Sequence, residues 1–329
     1  MPPANRHNPV RAKSSDSLYS LREFLADFPD DETCLEWLWR ERHSEDGEHA
    51  YCPKCQQERS FKRYAKVAAK RQSWTCTGCG HHIHPTAGTI FAKSSRPLTD
   101  WFYVMFLVSS SRCGISAKHV ERELGVNYKT AWRMLNRVRD ELMRQDDEPP
   151  LTGEVEVDSA YVGGQLHHGE KLRLMRENPE GWNRGAATKD RAMIFAGVER
   201  GGRLRASVVG SSRTQLEASK RIKSDLYEFV LPGSMIFTDD WGGYYGMEKA
   251  GTYSFRRINH IQKIYVQGDV HTNTVEGFFG HFKTDLRGTH HSVSKRWLHS
   301  YLNEWVFKWN HRNDTRAMFH TLLGRAGGV

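Results

Sequence analysis

The sequence has no long apolar run. Its one continuous hydrophobic stretch, from Trp101 to Val108, is far shorter than the roughly 20 residues with which a helix spans a bilayer. The first 20 residues are polar, contain Pro and Ser, and include no apolar segment typical of a secretion signal. We therefore expect a soluble, cytoplasmic protein in which residues 1–20 form a flexible basic arm.

Acidic residues are fewer than basic ones. The 329 residues include 39 Asp and Glu against 48 Lys and Arg, which gives a net charge of +9. This excess favours a polyanion as the partner. Hydrophobic residues make up 38% of the chain, which excludes a disordered protein and suffices for two or three domains.

Cysteine is also scarce, and four of the six cysteines are clustered. Cys52 and Cys55 form CPKC, Cys76 and Cys79 form CTGC, and twenty residues separate the two pairs. This spacing is typical of a zinc ribbon, in which each turn presents two thiolates to one tetrahedral Zn²⁺. The alternatives are a pair of disulfides, which a reducing cytoplasm disfavours, and a redox C-x-x-C, which needs no second copy.

Residues 21–92 are expected to form the zinc-ribbon region, with a basic hairpin placed for contact with an anion. Three histidines follow the second cysteine pair and are interpreted as surface or nucleic-acid-facing groups: His81, His82 and His84. Cys34 and Cys113 have no partner at ligand spacing and are predicted to be small buried side chains.

Residues 97–145 change to a helical pattern. A first helix follows Pro97, and a short helix to Leu124, a turn at 125–127 and a helix from about Tyr128 then form a helix-turn-helix pattern. Four apolar residues of the last helix are expected in the core: Ala131, Met134, Leu135 and Val138. Its basic residues are expected outside, within reach of DNA phosphates or base edges: Lys129, Arg133, Arg137 and Arg139. The alternative is a structural helical pair with a solvated basic face.

An acidic, Pro-rich linker at residues 145–153 precedes a second pattern. From residue 153 to 313 the predicted order is β-β-β-α-β-α-β followed by helices, with a hairpin turn at Gly201-Gly202. An RNase H-like mixed sheet of the α/β class has this order, although order alone does not separate it from other α/β folds. Residues 314–329 are expected to be a C-terminal tail.

Two aspartates of this domain are placed at predicted strand ends. Asp158 is expected to end the first strand, and Asp239 lies just beyond a short buried strand. Functional groups in α/β folds are exposed where neighbouring strands end. A Mg²⁺ pair needs carboxylates that converge from different elements, so a third carboxylate from a helix laid across the sheet would complete a site.

Residues 270–288 predict an amphipathic helix with a distinct polar strip. Its buried stripe is expected to contain Val275, Phe278, Phe279, Phe282 and Leu286. The separate strip carries Asn273, at the helix start, and then Glu276, Gly280, Lys283 and Arg287. On this strip the carboxylate can bind metal, the glycine allows close backbone approach, and the basic residues can hold phosphates. The alternative is an exposed polar face with an incidental Glu.

Six segments resemble the DDE transposases of prokaryotic insertion sequences, a family with an N-terminal zinc ribbon and an RNase H-like catalytic domain. They are CPKC with CTGC, GTIFAKSSRPLTDWF, GISAKHVERELGVNYKTAWRML, VEVDSAYVGG, FTDDWGGYYG and VHTNTVEGFFGHFKTDLRGTHHSVS. The resemblance extends from about Leu21 to Asn313. Any one segment is loose, whereas six in this order are specific.

The resemblance implies a DNA transposase that binds the terminal inverted repeats of an insertion sequence, nicks the ends and joins their 3′-OH groups to target DNA. It implies Asp158, Asp239 and Glu276 as the catalytic residues and as ligands of two Mg²⁺ (or Mn²⁺) ions. Lys283 carries over as the basic residue after the Glu. The implied partner is double-stranded DNA, bound by a homodimer or higher oligomer at the nucleoid.

Some positions compete with this assignment. An Asn has been treated as the third motif position in some relatives, which makes Asn273 the alternative to Glu276; we favour Glu276 as the harder ligand for Mg²⁺. Ser159 stands where many relatives have Glu, which leaves Glu156 as a candidate auxiliary acid. Asp240 is a rival of its neighbour. Residues 163–191 are expected to form a mobile loop over DNA.

Two other classes of function fit the same residues. One is a zinc-ribbon DNA-binding regulator with an inactive catalytic domain. The other is a metal-dependent DNA nuclease of the RNase H-like fold, which cuts DNA without joining it to a target.

Overall fold

The computed structural model of the chain forms two compact units, residues Met1–Leu142 with His311–Val329, and residues Met143–Asn310. The structure describes residues 19–64, 72–146, 148–162, 173, 176, 192–210, 215–239, 251–258, 271–291 and 293–328. The segment expected as a loop over DNA, apart from two of its residues, and the expected short helix after Asp239 lie outside the described residues.

The first unit begins with two helices and a small sheet. Helices α1 (Leu21–Asp27) and α2 (Asp31–His43) start at Ser20 and Asp30, whose side chains accept hydrogen bonds from backbone N–H groups of the first turn. An antiparallel sheet follows in the order β1-β2-β3-β4, with the strands His49–Cys52, Gln57–Tyr64, Ser73–Cys76 and His82–Ile83. Trp39 of α2 stacks on Trp74 of β3 with ring centroids 4.7 Å apart, which fixes the helix to the sheet.

Three further helices follow: α3 (Leu98–Ser110), α4 (Ala117–Leu124) and α5 (Tyr128–Arg137), which continues as a π-helical turn, Val138–Leu142. Gly125 ends α4 with φ +61°, and Asn127 caps α5 by accepting a hydrogen bond from the Thr130 N–H at 2.9 Å. The predicted helix–turn–helix boundaries are therefore observed. The four residues predicted for the core of α5 and its extension are all buried: Ala131, Met134, Leu135 and Val138.

Three expectations for this unit are wrong. Arg139 is not outside but 1% exposed, and it donates a hydrogen bond to the Ile115 carbonyl at 3.3 Å; the π-helical turn shifts the helical phase at this position. Cys113 is exposed, although Cys34 is buried as predicted. The expected C-terminal tail contains a helix with buried apolar residues, Met318–Gly327.

The second unit is built on a mixed five-stranded sheet. Its strands are β5 (Glu154–Val162), β6 (Ala192–Glu199), β7 (Leu204–Gly210), β8 (Met235–Asp239) and β9 (Ser254–Ile258). They lie in the order β7-β6-β5-β8-β9. Strand β6 is antiparallel to β5 and β7, whereas β8 is parallel to β5 and to β9. The α/β class, the mixed sheet and the β6–β7 hairpin predicted from the sequence are thus present.

Helices cover both faces of this sheet. Helix α6 (Gln215–Phe229) packs with Val155 and Val157 of β5 on one face. Helices α7 (Asn273–Asp285) and α8 (Leu298–Asn310) pack with Ala160 and Val162 on the other. Because strand side chains alternate between faces, even-numbered residues of β5 point towards α7. Acids at even-numbered positions of β5, such as Glu156 and Asp158, therefore lie on the face that α7 covers.

The buried stripe predicted for α7 is confirmed. Its five apolar residues are at most 7% exposed: Val275, Phe278, Phe279, Phe282 and Leu286. Leu298, Leu302 and Val306 of α8 join the same core. Helix α7 continues as a second π-helical turn, Leu286–His290. Among the described residues, no helix is long and apolar enough to cross a membrane.

Candidate active site and metal centre

Asp158 and Asp239 are carried by neighbouring parallel strands. Asp239 is the last residue of β8 rather than just beyond it, and Asp158 lies inside β5 rather than at its end. The parallel ladder between the strands stops at the pair Glu156–Phe237. Continuing that register by two residues sets Asp158 beside Asp239, just past the last paired residues. The two aspartates therefore lie where the parallel pairing of β5 with β8 ends, although β5 itself continues.

Helix α7 brings two further charged groups to Asp158. Burial and the charge of Asp239 raise the pKa of Asp158 to about 7, and the charge of Glu276 acts in the same direction. The Ser159 N–H and the Lys283 ammonium act in the opposite direction, towards the ionised form. The structure thus brings Asp158, Asp239, Glu276 and Lys283 together. Two carboxylates and one ammonium thus act on the charge of Asp158.

Contacts within α7 orient its polar strip. Glu276 is exposed, and its Oε1 accepts a hydrogen bond from Thr272 Oγ1 at 2.8 Å. The Lys283 ammonium lies 5.8 Å from the centroid of the Phe279 ring. Asn273 is the exposed first residue of α7, and Arg287 is exposed on the π-helical turn. Asp240 lies outside the described residues.

Glu156 has a different environment from the three other acids. It is 0% exposed, and its carboxylate accepts hydrogen bonds from Arg200 Nε at 3.1 Å and from the Thr274 N–H at 2.8 Å. Arg200 was not predicted from the sequence. The alternation of side chains along β5 could have indicated such a partner. Glu156 shares a face with Asp158, and a buried carboxylate needs a partner.

The three carboxylates fit a hard cation. Mg²⁺ and Mn²⁺ prefer oxygen ligands and keep several waters, so a few carboxylates from separate elements suffice. Among the described residues, the one group of three or more potential ligands within 4.8 Å of one another is the cysteine cluster. The oxygens of the three carboxylates are therefore spaced more widely than the cysteine sulfurs, and a cation there would complete its coordination with water or phosphate oxygens.

The four cysteines of the CPKC and CTGC turns form a compact group with the geometry of a tetrahedral site. Cys52 Sγ lies 3.6 Å from Cys79 Sγ, and Cys55 Sγ lies 3.9 Å from Cys76 Sγ. Tetrahedral bonds of about 2.3 Å to zinc would place the sulfurs about 3.8 Å apart. A disulfide, with sulfurs about 2.05 Å apart, does not match these distances. The cluster therefore fits a four-thiolate metal ion.

The CPKC and CTGC turns have the same backbone conformation. The residue after each second cysteine has positive φ, +54° at Gln56 and +73° at Gly80, and its N–H donates to the carbonyl of the first cysteine. Burial opposes ionisation of Cys76, but N–H groups of Cys79 and Gly78 and the thiols of Cys52 and Cys79 lower the Cys76 pKa to about 7. Hydrogen bonds with the neighbouring thiols and burial raise the pKa of Cys55 to about 12, so the thiolate is favoured at one cysteine of the cluster and opposed at another.

The basic residues predicted on α5 differ in availability. Lys129 and Arg133 are exposed. Arg137 is half-buried, and its Nε and Nη2 donate to Glu141 at 2.7 and 3.2 Å. Two of the three basic residues of α5 therefore present their charge directly to solvent.

Comparisons with known proteins agree on one class. Residues 150–310 match the family described as the ISXO2-like transposase domain. The chain is also similar to an uncharacterized protein in transposable element ISH50 of Halobacterium salinarum. The two are 27% identical over 249 residues, which cover 75% of this chain and 77% of that protein.

These two similarities support a transposase of a prokaryotic insertion sequence. The similarity to the ISXO2-like transposase domain covers residues 150–310.

The raised pKa of Asp158 predicts a pH-dependent stability of the metal-free protein. A carboxyl whose pKa rises from 3.8 to about 7 on folding stabilises the native state below pH 4, and this contribution is lost as pH rises towards 7. Asp158→Asn should therefore be more stable than wild type at pH 8 by about 2 kcal/mol, with little difference at pH 4. Urea unfolding from pH 4 to 8 measures this.

Glu45→Gln, which changes an exposed acid of the first unit, is the control and should follow the wild-type curve. Parallel curves for wild type and Asp158→Asn would contradict the prediction.

Proposed function

We propose that this chain is a DDE-type transposase with an RNase H-like catalytic domain, which cleaves the ends of its element and joins them to target DNA. The sheet order β7-β6-β5-β8-β9, with one antiparallel hairpin and two parallel strands, supports the RNase H-like fold. The family match over residues 150–310 supports the transposase.

The observation that carries the proposal is the convergence of three carboxylates from three elements. Asp158 of β5 interacts electrostatically with Asp239 of β8 and with Glu276 of α7. The charges of Asp239 and Glu276 raise the pKa of Asp158, and the ammonium of Lys283 lowers it. Such a site is stabilised by a bound divalent cation.

The residues then have distinct roles. Asp158, Asp239 and Glu276 would hold two Mg²⁺ or Mn²⁺ ions, which supply activation of the attacking oxygen and neutralisation of the leaving oxygen when bound. Lys283 and Arg287 follow the Glu along α7 and hold phosphates of the bound strand. Thr272 holds the Glu276 carboxylate through its hydrogen bond. No residue needs to form a covalent intermediate.

The exposed side of α7 supports close approach of a ligand. Gly277 and Gly280 are exposed, and a Cβ at either position would meet no atom within 4 Å. Each glycine costs the helix about 1 kcal/mol relative to alanine, and no contact with the described residues requires it. A DNA backbone lying against the helix gives a reason for this cost.

The first unit supplies the proposed DNA-binding parts. The four-thiolate cluster holds a structural Zn²⁺ in a zinc ribbon, and α4 with α5 form a helix-turn-helix. Lys129 and Arg133 would contact DNA directly, whereas Arg137 would do so only after leaving Glu141. Because two element ends are joined, we expect a homodimer or higher oligomer on DNA.

The decisive experiment is strand transfer with DNA ends taken from the sequence that flanks the gene. Purified protein with Mg²⁺ should nick these ends and join them to a second duplex. Asp158→Asn, Asp239→Asn and Glu276→Gln should each lower the rate at least about 10³-fold, because each removes a proposed ligand of the metals. Glu228→Gln, an exposed acid on α6, is the control.

Transfer at the wild-type rate by the three variants would reject the assigned residues. Cleavage without joining would favour the nuclease alternative. End binding without cleavage by the wild type would favour the regulator.

The glycine at 280 gives a second prediction. Gly280→Ala should raise the free energy of unfolding by about 1 kcal/mol and yet slow cleavage several-fold, because a methyl group intrudes where DNA approaches. Gly324→Ala, which also faces open space on a helix, should stabilise the protein without slowing cleavage. Unchanged cleavage by Gly280→Ala would show that DNA does not contact this surface.

Metal analysis tests the ribbon. Protein purified under reducing conditions should contain one zinc per chain, and Cys52→Ser should lose it with a large fall in thermal stability, because metal binding contributes folding energy. Cys113→Ser should keep the zinc. Reduced wild-type protein without zinc would exclude the assignment.

A further inference from the structure

A buried ion pair lies directly beneath the three carboxylates. Glu156 is fully buried, and the Arg200 side chain is 19% exposed, with Arg200 Nε 3.1 Å from Glu156 Oε1. Taking both charges out of water costs about as much as their attraction returns, so such a pair contributes little net stability. Its contacts, rather than its energy, indicate its role.

Glu156 caps α7 from a neighbouring strand. Its Oε2 accepts hydrogen bonds from the N–H groups of Thr274 and Val275 at 2.8 and 3.2 Å, and its Oε1 accepts one from Thr274 Oγ1 at 3.1 Å. Thr272, at the N-cap position, makes no side-chain capping bond because its hydroxyl donates to Glu276. Glu156 therefore satisfies first-turn donors of α7 that the local sequence leaves open.

Arg200 extends the contact to the two other elements. Its Nη2 donates to the carbonyl of His271, just before α7, at 3.2 Å. Its guanidinium carbon lies 3.8 Å from the centroid of the Phe237 ring on β8. The planar guanidinium can stack on the ring and donate at its edge at the same time, which an ammonium cannot do.

On each of the three elements, a residue that the ion pair contains or contacts lies two positions before the acid in the sequence. Glu156 precedes Asp158 by two residues on the same side of β5. Phe237 precedes Asp239 by two residues on the same side of β8, and it pairs with Glu156 in the ladder. On α7, Thr274 precedes Glu276 by two residues. One ion pair therefore touches each element that carries a member of the site.

We propose that the Glu156–Arg200 pair is the positioning element of the three-carboxylate site. It locks β5, β8 and the start of α7 together, so that Asp158, Asp239 and Glu276 keep the separation that the metals require. Glu156 is a positioning residue and not an auxiliary acid, because Arg200 and α7 already occupy both oxygens of its carboxylate. The inference rests on the proposed function for its catalytic consequence, but its structural part does not.

The test compares two variants with a matched control. Glu156→Gln keeps the shape and one acceptor oxygen, and Arg200→Lys keeps the charge without the planar group. Glu199→Gln is the control, because Glu199 also pairs with an arginine, Arg203, and accepts backbone hydrogen bonds of the same sheet, from Thr152 and Arg203. No described contact joins Glu199 to α7.

Three readouts are measured on the full-length protein. Amide hydrogen exchange of Thr274 and Val275 should become roughly 10- to 100-fold faster in Glu156→Gln, because charge-assisted hydrogen bonds are lost. Mn²⁺ affinity, followed by electron paramagnetic resonance, should weaken roughly tenfold in both variants. The maximal cleavage rate should fall about 10- to 100-fold with unchanged affinity for end DNA. Glu199→Gln should show none of these changes.

The outcomes separate the two proposals. Wild-type exchange and Mn²⁺ affinity in Glu156→Gln would overturn the positioning role. Loss of Mn²⁺ binding with unchanged exchange would also overturn it, since Glu156 would then be a direct ligand. Equal effects in Glu199→Gln would also contradict the positioning role, because they would show that the pair only stabilises the sheet in general. If wild-type protein fails to cleave, the proposed function fails, whereas faster exchange in Glu156→Gln would still support the holding of α7 by the pair.

Discussion

The packing of α7 on the sheet is the constraint on which the candidate site depends. Phe278 and Phe282 are fully buried against the face that also contains Ala160 and Val162 of β5. Because side chains on a helix have fixed angular positions, burying this stripe determines where Glu276 points. The hydrophobic effect thus sets the direction of a charged group that itself gains nothing from burial. The cap from Glu156 adds position along the helix axis to the rotation set by the core.

The same site contains carboxylates that repel one another. Asp158 is partly buried beside two other carboxylates, and its pKa is raised to about 7. A fold selected for stability alone would replace such an acid, which supports the proposal that a bound cation offsets the cost. In the first unit, the four sulfurs of the cysteine cluster lie close together, at distances that fit a bound cation.

Much of this organisation could be predicted from the sequence because it is encoded locally. Helical spacing predicted the buried stripe of α7, and the Gly125–Asn127 turn predicted the boundary between α4 and α5. The spacing of the cysteine pairs predicted their clustering. Arg139 and Cys113 were misplaced because a π-helical turn and a loop change which side of the backbone faces the core, and neither has a periodic signature.

By itself, the sequence determined the α4–α5 pair, the β6–β7 hairpin, the buried stripe of α7, the candidate acids of the site and the cysteine cluster, since spacing along the chain controls each of them. Only the tertiary structure decided that Glu156 faces inward to cap α7 and that Arg200, 44 residues away, is its partner. It also decided that the parallel ladder ends just before Asp158. These features depend on which strands are neighbours and in which register. Register is fixed by burying whole faces of the sheet at once, and no local stretch of sequence carries that information.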